Sequence, residues 1–169
     1  AVLSENPAGP AITSPSSGTV KVLTNADSAN SITFSWTAAD FGFPAGINYL
    51  LQMDKAGNNF SDPIILAATT ATSASVNIYD LDNKMLASGY PEDVEAQVEI
   101  RVRAIIYGIN SSTFTDTVYS SPITMKITPY LIIVNYPKLW VPGSYCGWDH
   151  SAADFLYSVK SDNKYQGYI

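Results

Sequence analysis

The longest alternating run in the chain is Val94-Glu95-Ala96-Gln97-Val98-Glu99-Ile100-Arg101-Val102-Arg103-Ala104-Ile105-Ile106. Apolar residues occupy every even position, and Glu, Gln or Arg occupies most of the odd ones. Successive side chains of a β-strand point to opposite faces of a sheet, so this run predicts a strand with one buried and one hydrated face. Such strands are typical of antiparallel sheets, because the strands of parallel sheets are buried on both faces.

Shorter runs with the same period of two lie on both sides of this one. They cover residues 19–22, 31–36, 47–53, 75–78 and 123–127. Clusters of Gly, Pro, Asn and Ser separate the runs, as expected of turns. About seven short strands joined by turns predict an all-β chain built around a β-sandwich.

The alternation also predicts local details of this sandwich. Val20 and Val22 should occupy the buried face of their strand, with Thr19 and Lys21 on the wet face. Trp36 should be a core aromatic residue, because its neighbours in the alternation are polar. Residues 81–88 form the only stretch that reads as a helical turn, and a glycine follows it as a stop signal.

The domain organisation follows from composition. Pro, Gly, Ser and Ala dominate the first fourteen residues, and we assign residues 1–9 to an extended leader. The sandwich is predicted over residues 10–128, and residues 129–169 should form a linker strand and two or three further strands. Asp162-Asn163 is the predicted hairpin turn of that segment. A stable sheet needs three or more strands with a covered face, so we expect the tail to begin a second, truncated sandwich.

Charge and polarity exclude several classes of function. The chain of 169 residues has a formal net charge of -6, and only 14% of its residues are charged. Nucleic-acid binding requires Lys and Arg to displace counterions, so this balance argues against it. A basic helix lying on a membrane is excluded for the same reason. A hydroxyl-rich, weakly charged surface favours neutral ligands instead.

No catalytic or metal-binding signature is present, so an enzyme, a metal site and a cofactor are not predicted. His150 is the only histidine, and it lies in a turn close to the only cysteine, Cys146. Members of a catalytic triad normally converge from separate elements. Glu95 and Glu99 share a strand face with the two arginines, which indicates a solvated ladder of charges. The acidic segment 80–83 lacks the glycine and terminal glutamate of an EF-hand loop.

Residues 10–128 resemble a fibronectin type III module. The resemblance is carried by Trp36, Tyr49 and three short stretches: Arg101-Val102-Arg103-Ala104, Gly108-Ile109-Asn110-Ser111 and Ser121-Pro122-Ile123-Thr124. It implies an immunoglobulin-like or fibronectin-like sandwich. It implies no function, since such sandwiches carry many unrelated activities.

The tail carries a second resemblance. It contains Leu139-Trp140-Val141-Pro142-Gly143-Ser144-Tyr145-Cys146-Gly147-Trp148-Asp149, then Ala152-Ala153-Asp154-Phe155-Leu156 and Lys164-Tyr165-Gln166-Gly167-Tyr168-Ile169. These stretches resemble the opening of the α-glucan-binding modules of SusE/SusF-type proteins of Bacteroidetes. That family implies an N-terminal fibronectin-like spacer followed by tandem starch-binding sandwiches. It also implies a surface-exposed outer-membrane lipoprotein that binds malto-oligosaccharides without cleaving them. The only membrane attachment would be a lipid anchor that this chain does not contain.

Three aromatic residues of the tail are the candidate carbohydrate-binding residues: Trp148, Tyr145 and Trp140. A pyranose has apolar C–H faces that stack on flat rings, and a belt of hydroxyls that hydrogen-bond polar side chains. Trp148 lies in a glycine-containing turn beside Asp149. The alternative is that Trp148 plugs one end of a sandwich and that Trp140 lies on its core face.

Two other classes of function stay open. The chain could be a protein-interaction module that contacts an outer-membrane uptake partner, with no sugar binding in this segment. It could also be an accessory domain of an enzyme. The unpaired strand edges of a truncated sandwich would need cover, which a strand-exchanged homodimer could supply.

Overall fold

The computed structural model of the chain describes residues 5–42, 44, 46–107, 115–131, 137–160 and 162–167. The predicted loop at 108–111, the extended stretch at 132–134 and the end of the tail at 168–169 lie outside these residues. The chain divides into two compact units, Ala1–Leu131 and Ile132–Ile169. We refer to them as the first and the second unit.

The first unit contains nine strands and one α-helix within its described residues. They are β1 (Ile12–Ser14), β2 (Thr19–Val22), β3 (Ser31–Trp36), β4 (Ile47–Lys55), β5 (Ile64–Thr69), β6 (Ser73–Asn77), α1 (Ile78–Ala87), β7 (Ala96–Tyr107), β8 (Thr115–Tyr119) and β9 (Ile123–Thr128).

These strands form two sheets that confirm the predicted all-β sandwich. One sheet has the order β1-β3-β6, and the other has the order β2-β9-β7-β4-β5 with β8 also paired to β7. Both sheets contribute fully buried side chains to the core, Phe34 from β3 and Met53 and Ile100 from β4 and β7. Trp36 is buried as predicted, at 4% exposure. Its ring lies 5.7 Å from that of Tyr49 on β4.

Strand β7 is the central strand of the larger sheet, and it follows the predicted alternation. It pairs antiparallel with β4, β8 and β9. Val98, Ile100 and Val102 are fully buried on its inner face. The strand begins two residues later than predicted, at Ala96, so Val94 precedes the pairing and remains exposed.

The predicted orientation of β2 is wrong. Val20 and Val22 are 56% and 58% exposed. Strand β2 is an edge strand that pairs with β9 in parallel, with Val20 opposite Lys126. Lys126 lies on the outer face of β9, between the buried Met125 and Ile127, so this register turns both valines outward. The antiparallel pairing expected of alternating strands is also not observed for β2, which pairs in parallel with β9.

Helix α1 begins earlier than the predicted helical turn. Residues 75–78 alternate as a strand would, but the strand ends at Asn77, which caps the helix. The Asn77 side chain accepts a hydrogen bond from the backbone N of Asp80 at 3.2 Å. Asn is among the most favourable N-cap residues because it satisfies a free backbone N–H. The helix ends at Ala87, and Gly89 follows at a φ of +83°, as the glycine stop signal predicted.

Asp82 of α1 is a buried carboxylate. It is fully inaccessible, and its Oδ1 accepts a hydrogen bond from the backbone N of Tyr130 at 2.8 Å. Within the part of the chain that the structure describes, its Oδ2 has no hydrogen-bond partner, and neither has the buried hydroxyl of Tyr130. Burial raises the pKa of Asp82 above its ordinary value of 3.8, and the hydrogen bond from Tyr130 opposes that rise.

Asp82→Asn is expected to change the pH dependence of stability. The carboxyl group binds its proton more tightly in the folded state, so its contribution to stability falls as pH rises from the unfolded pKa through the folded one. Asparagine keeps an acceptor for the Tyr130 N–H and does not titrate. The free energy of unfolding of wild type minus that of Asp82→Asn, measured by urea denaturation from about pH 4 to about pH 8, should therefore decrease with pH. A pH-independent difference would contradict this expectation.

Backbone contacts hold the N-terminal segment of the first unit against the rest of that unit. Ala8 and Asp40 exchange two backbone hydrogen bonds, at 2.8 and 2.9 Å. Gly9 passes so close to Tyr119 that a Cβ atom added to it would lie 2.3 Å from the Tyr119 carbonyl oxygen. Strand β1 follows and pairs antiparallel with β3.

The second unit is a β-hairpin with a returning segment. Strands β10 (Lys138–Val141) and β11 (Asp154–Tyr157) pair antiparallel, and Tyr157 forms a further antiparallel bridge with Gln166. Asn163, in the predicted hairpin turn, has a φ of +61°. Across the described part of both units, no helix is long and apolar enough to span a bilayer.

Candidate functional site

The turn between β10 and β11 is held by its own backbone. Gly143 precedes a 3₁₀ turn, Ser144–Cys146, and Gly147 follows it at a φ of +60°. The carbonyl oxygen of Gly143 accepts hydrogen bonds from the backbone N atoms of Cys146 and Trp148, at 3.1 and 3.0 Å. The Cys146 thiol donates to the same oxygen at 3.2 Å. Three donors converging on one carbonyl fix the position from which Trp148 projects.

Tyr145 connects the two ends of the hairpin through its hydroxyl. That hydroxyl donates to the carbonyl oxygen of Val141 at 2.6 Å and accepts from the backbone N of Asp154 at 2.9 Å. Val141 ends β10 and Asp154 begins β11, so this pair of residues borders the turn. The Tyr145 side chain is 56% exposed, so its ring is accessible although its hydroxyl is engaged within the protein.

Trp148 is the most exposed large apolar residue in the described part of the chain, at 69%. It also has a φ of +64°, in the left-handed region that bulky residues rarely adopt. That conformation costs roughly 1–2 kcal/mol for a non-glycine residue. Neither burial nor backbone preference accounts for a tryptophan here, and strained residues of this kind concentrate at functional sites.

Trp140 belongs to an aromatic face of the hairpin that also contains Lys138, Phe155 and Tyr157. Trp140 is paired directly with Phe155 and Lys138 with Tyr157, so all four side chains share one face. The Trp140 and Phe155 rings lie 5.1 Å apart, and the Phe155 and Tyr157 rings 5.0 Å apart, both edge to face. The Lys138 Nζ lies 4.4 Å from the centre of the Phe155 ring.

Sequence reasoning missed Lys138, Phe155 and Tyr157, since their grouping depends on the hairpin register. The hairpin exposes both of its faces. Trp140 is 46% exposed, and Leu139 on the opposite face is 47% exposed. Alternation alone therefore does not distinguish a core face from a binding face in this strand.

Asp149, next to Trp148, is held as an acceptor. Its Oδ1 accepts from the backbone N and from the hydroxyl of Ser151, both at 2.8 Å. These two hydrogen bonds lower the pKa of Asp149 below its ordinary value. The carboxylate thus stays ionised and oriented beside the exposed indole.

The remaining candidates for chemistry are not organised into a catalytic or metal site in the part of the chain that the structure describes. His150 is exposed in the turn. Glu95 forms an ion pair with Lys126 at 2.8 Å rather than facing another carboxylate. The described residues include no group of three potential metal ligands.

The first unit contains an open groove of about 920 Å³ between the β4–β5 turn, the end of α1 and the start of β7. Asp54 lines it and is 5% exposed. Its two oxygens accept from the Asn58 amide at 3.0 and 2.9 Å, and also from the backbone N atoms of Lys55 and Asp62. A carboxylate with all these donors within the protein stabilises the β4–β5 turn and is not poised to bind a ligand.

The two sheets of the first unit define an immunoglobulin-like or fibronectin-like sandwich, and the comparisons with known proteins assign its family. The chain belongs to the SusE outer membrane protein family, whose family model matches residues 1–103. This confirms the resemblance to SusE-type proteins and places the protein at the outer membrane. The matched residues lie in the first unit, so the match does not include the stretch at 139–149.

The other comparisons add little. No curated protein matches the chain at a significant level. Among solved structures, the chain is similar to the solution structure of the fibronectin type III domain of human fibronectin type III domain containing protein 3. The identity is 13%, the match covers 76% of this chain and 90% of that chain, and the TM-score is 0.34.

Proposed function

We propose that this outer membrane protein binds starch-like α-glucan without cleaving it, through exposed aromatic residues of the second unit. The observation that carries the proposal is Trp148, an indole that is 69% exposed at a strained position of a firmly hydrogen-bonded turn. In this proposal Trp148 and Trp140 offer ring faces to the apolar faces of glucose units. Tyr145 contributes only its ring, because its hydroxyl already bridges β10 and β11.

Polar groups beside the rings would supply hydrogen bonds to the sugar hydroxyls. Asp149 is an ionised acceptor next to Trp148, and Lys138 is a donor on the face that carries Trp140. Hydrogen bonds that involve a charged partner are roughly twice as strong as neutral ones. This combination suits a neutral, hydroxyl-rich ligand and requires neither a nucleophile nor a metal.

At the cell surface, the protein would act as a lipid-anchored component of a glycan-uptake system. The first unit would be a spacer that holds the sugar-binding part away from the membrane. Binding by one aromatic turn is expected to be weak, and several modules in one chain would raise the avidity through effective concentration. The predicted strand-exchanged homodimer remains a separate prediction, which light scattering of the purified protein would test.

Isothermal titration with maltoheptaose tests the proposal. We expect a saturable heat in the micromolar to millimolar range, about 4–8 kcal/mol of binding free energy. Cellohexaose, whose glucose units are β-linked, serves as the linkage control and should bind more weakly. No heat with millimolar maltoheptaose would refute glucan binding and favour the alternative, a module that contacts a protein partner of the uptake system.

A further inference from the structure

The only two arginines of the sequence, Arg101 and Arg103, lie two residues apart on β7. Residues two apart on a strand share a face, and the residues between and beside them, Val102, Ile100 and Ala104, are fully buried. Both arginines therefore project from the outer face of the larger sheet. They place two neighbouring guanidinium groups on a chain whose net charge is -6.

Arg101 is in contact with two aromatic rings. Its guanidinium carbon lies 4.1 Å from the centre of the Phe60 ring and 4.2 Å from the centre of the Tyr119 ring. Its Nε donates to Gln52 Oε1 at 2.9 Å. That is the only hydrogen bond that its guanidinium makes to a described residue, so neither terminal amino group has a hydrogen-bond partner among these residues. A guanidinium fixed in this way loses little entropy on binding a planar acceptor.

The position of Phe60 is maintained at a conformational cost. Phe60 and the preceding Asn59 both have positive φ angles, 54° and 53°. The Asp54 carboxylate holds this turn through its bonds to Asn58 and to the backbone. Asparagine tolerates this left-handed region, but for Phe60 it costs roughly 1–2 kcal/mol, and the turn places the Phe60 ring over Arg101.

Neither arginine forms an ion pair with an acidic residue in the described part of the chain. The Nε of Arg103 is buried and has no hydrogen-bond partner among the described residues. The pair between Lys126 and Glu95 is the only ion pair among the described residues, so no carboxylate there lies within ion-pair distance of Arg101 or Arg103. Burial lowers the pKa of Arg101, with a further lowering from Arg103 and opposing effects from Tyr119 and Asp54. A partly dehydrated cation with no carboxylate at ion-pair distance gains most from a carboxylate supplied by another molecule.

None of these four side chains (Phe60, Arg101, Arg103 and Tyr119) lines either of the two best-defined cavities in the described part of the chain. Tyr119 is 45% exposed beside the pair. Small ligands are bound in concave pockets, whereas Arg and Tyr on an open surface are the residue types enriched at the energetic centres of protein interfaces.

We infer that the surface formed by Phe60, Arg101, Arg103 and Tyr119 docks an acidic segment of a protein partner, with Asp or Glu carboxylates accepting from the guanidinium amino groups. The Phe60 and Tyr119 rings hold the guanidinium group of Arg101 in place. Arg103 supplies a second guanidinium group two residues away. This inference does not depend on the proposed glucan binding, because every residue in it belongs to the first unit.

An amidated hexaglutamate peptide is a suitable probe, and nuclear magnetic resonance is a suitable readout. The protein has two arginines, so it gives two side-chain Nε–Hε signals, which Arg101→Lys and Arg103→Lys assign by elimination. We expect hexaglutamate to shift both signals and hexaglutamine to shift neither. Unmoved signals at millimolar hexaglutamate would overturn the inference.

Charge-conserving variants distinguish the effect of the guanidinium fork on binding from the effect of net charge. Arg101→Lys and Arg103→Lys should each weaken hexaglutamate binding at least about tenfold, because lysine cannot form the bidentate pair. Lys160→Ala, which removes one exposed positive charge from the second unit, should change the affinity by less than about twofold. Equal weakening in Lys160→Ala would reveal non-specific attraction. Glutarate that binds as tightly as the peptide at equal carboxylate concentration would indicate a small-carboxylate site. Either result would contradict the inference.

Discussion

Gly9→Ala is expected to destabilise the first unit by about 1–3 kcal/mol, the usual cost of forcing an extra methyl group into packed structure. The new Cβ atom would lie 2.3 Å from the carbonyl oxygen of Tyr119 and 3.1 Å from its carbonyl carbon. These are backbone atoms of β8, a strand that is hydrogen-bonded to β7, so they cannot rotate away as a side chain would. Either the N-terminal segment or the edge of the sheet must move.

The measurement is urea denaturation of the wild type and the variant. Gly46→Ala is the matched control, because a Cβ atom there has no neighbour within 4 Å and the residue has no positive φ. Its free energy of unfolding should equal that of the wild type or exceed it slightly, since alanine restricts the unfolded chain. Equal stability of Gly9→Ala and Gly46→Ala would show that the N-terminal segment is not packed against Tyr119 in solution.

Trp148→Gly is expected to weaken maltoheptaose binding at least tenfold, which corresponds to about 1.4 kcal/mol, without destabilising the turn. The indole supplies the proposed stacking surface, and it is 69% exposed. Glycine adopts a φ of +64° without steric cost, so the variant should be as stable as the wild type or more stable. Loss of binding together with retained stability distinguishes a ligand contact from a structural plug.

Titration calorimetry and amide hydrogen exchange of β10 and β11 together test this expectation. Asn163→Gly is the matched control, because it also relieves a positive φ in the second unit but removes no aromatic ring. It should leave maltoheptaose affinity unchanged. A Trp148→Gly protein that binds maltoheptaose as the wild type does would exclude Trp148 from the site. Faster exchange across β10 and β11 would show instead that the indole is structural.

The sequence predicted the all-β class. It also predicted the buried face of a strand correctly where that strand lies inside a sheet and has one face in the core. In β7, the alternation of Val98, Ile100 and Val102 with charged residues corresponds directly to burial, because the strand is central and its inner face meets the other sheet. Val20 and Val22 alternate with polar residues in the same way, but both valines are exposed. An edge strand takes its orientation from the register of its single neighbour, and that register is not encoded within four residues.

The candidate site was predictable only in part. The turn that carries Trp148 could be recognised from its glycines and its aromatic residues, and the exposure of Trp148 and Trp140 was a hypothesis at that stage. The association of Trp140 with Phe155 could not be recognised, because it depends on a cross-strand register between residues fifteen positions apart. The role of the Tyr145 hydroxyl likewise depends on the distance between the two strand ends.

The amino-acid sequence by itself determined the all-β class and the hydroxyl-rich, weakly charged character of the chain. It also determined the position of the aromatic turn, because these properties depend on local periodicity and composition. The tertiary structure decided which residues act together. It brought the rings of Phe60 and Tyr119 into contact with Arg101, although Phe60 and Tyr119 are separated by tens of residues along the chain. Strand pairing converts such distant positions into neighbours, and no local pattern records that proximity.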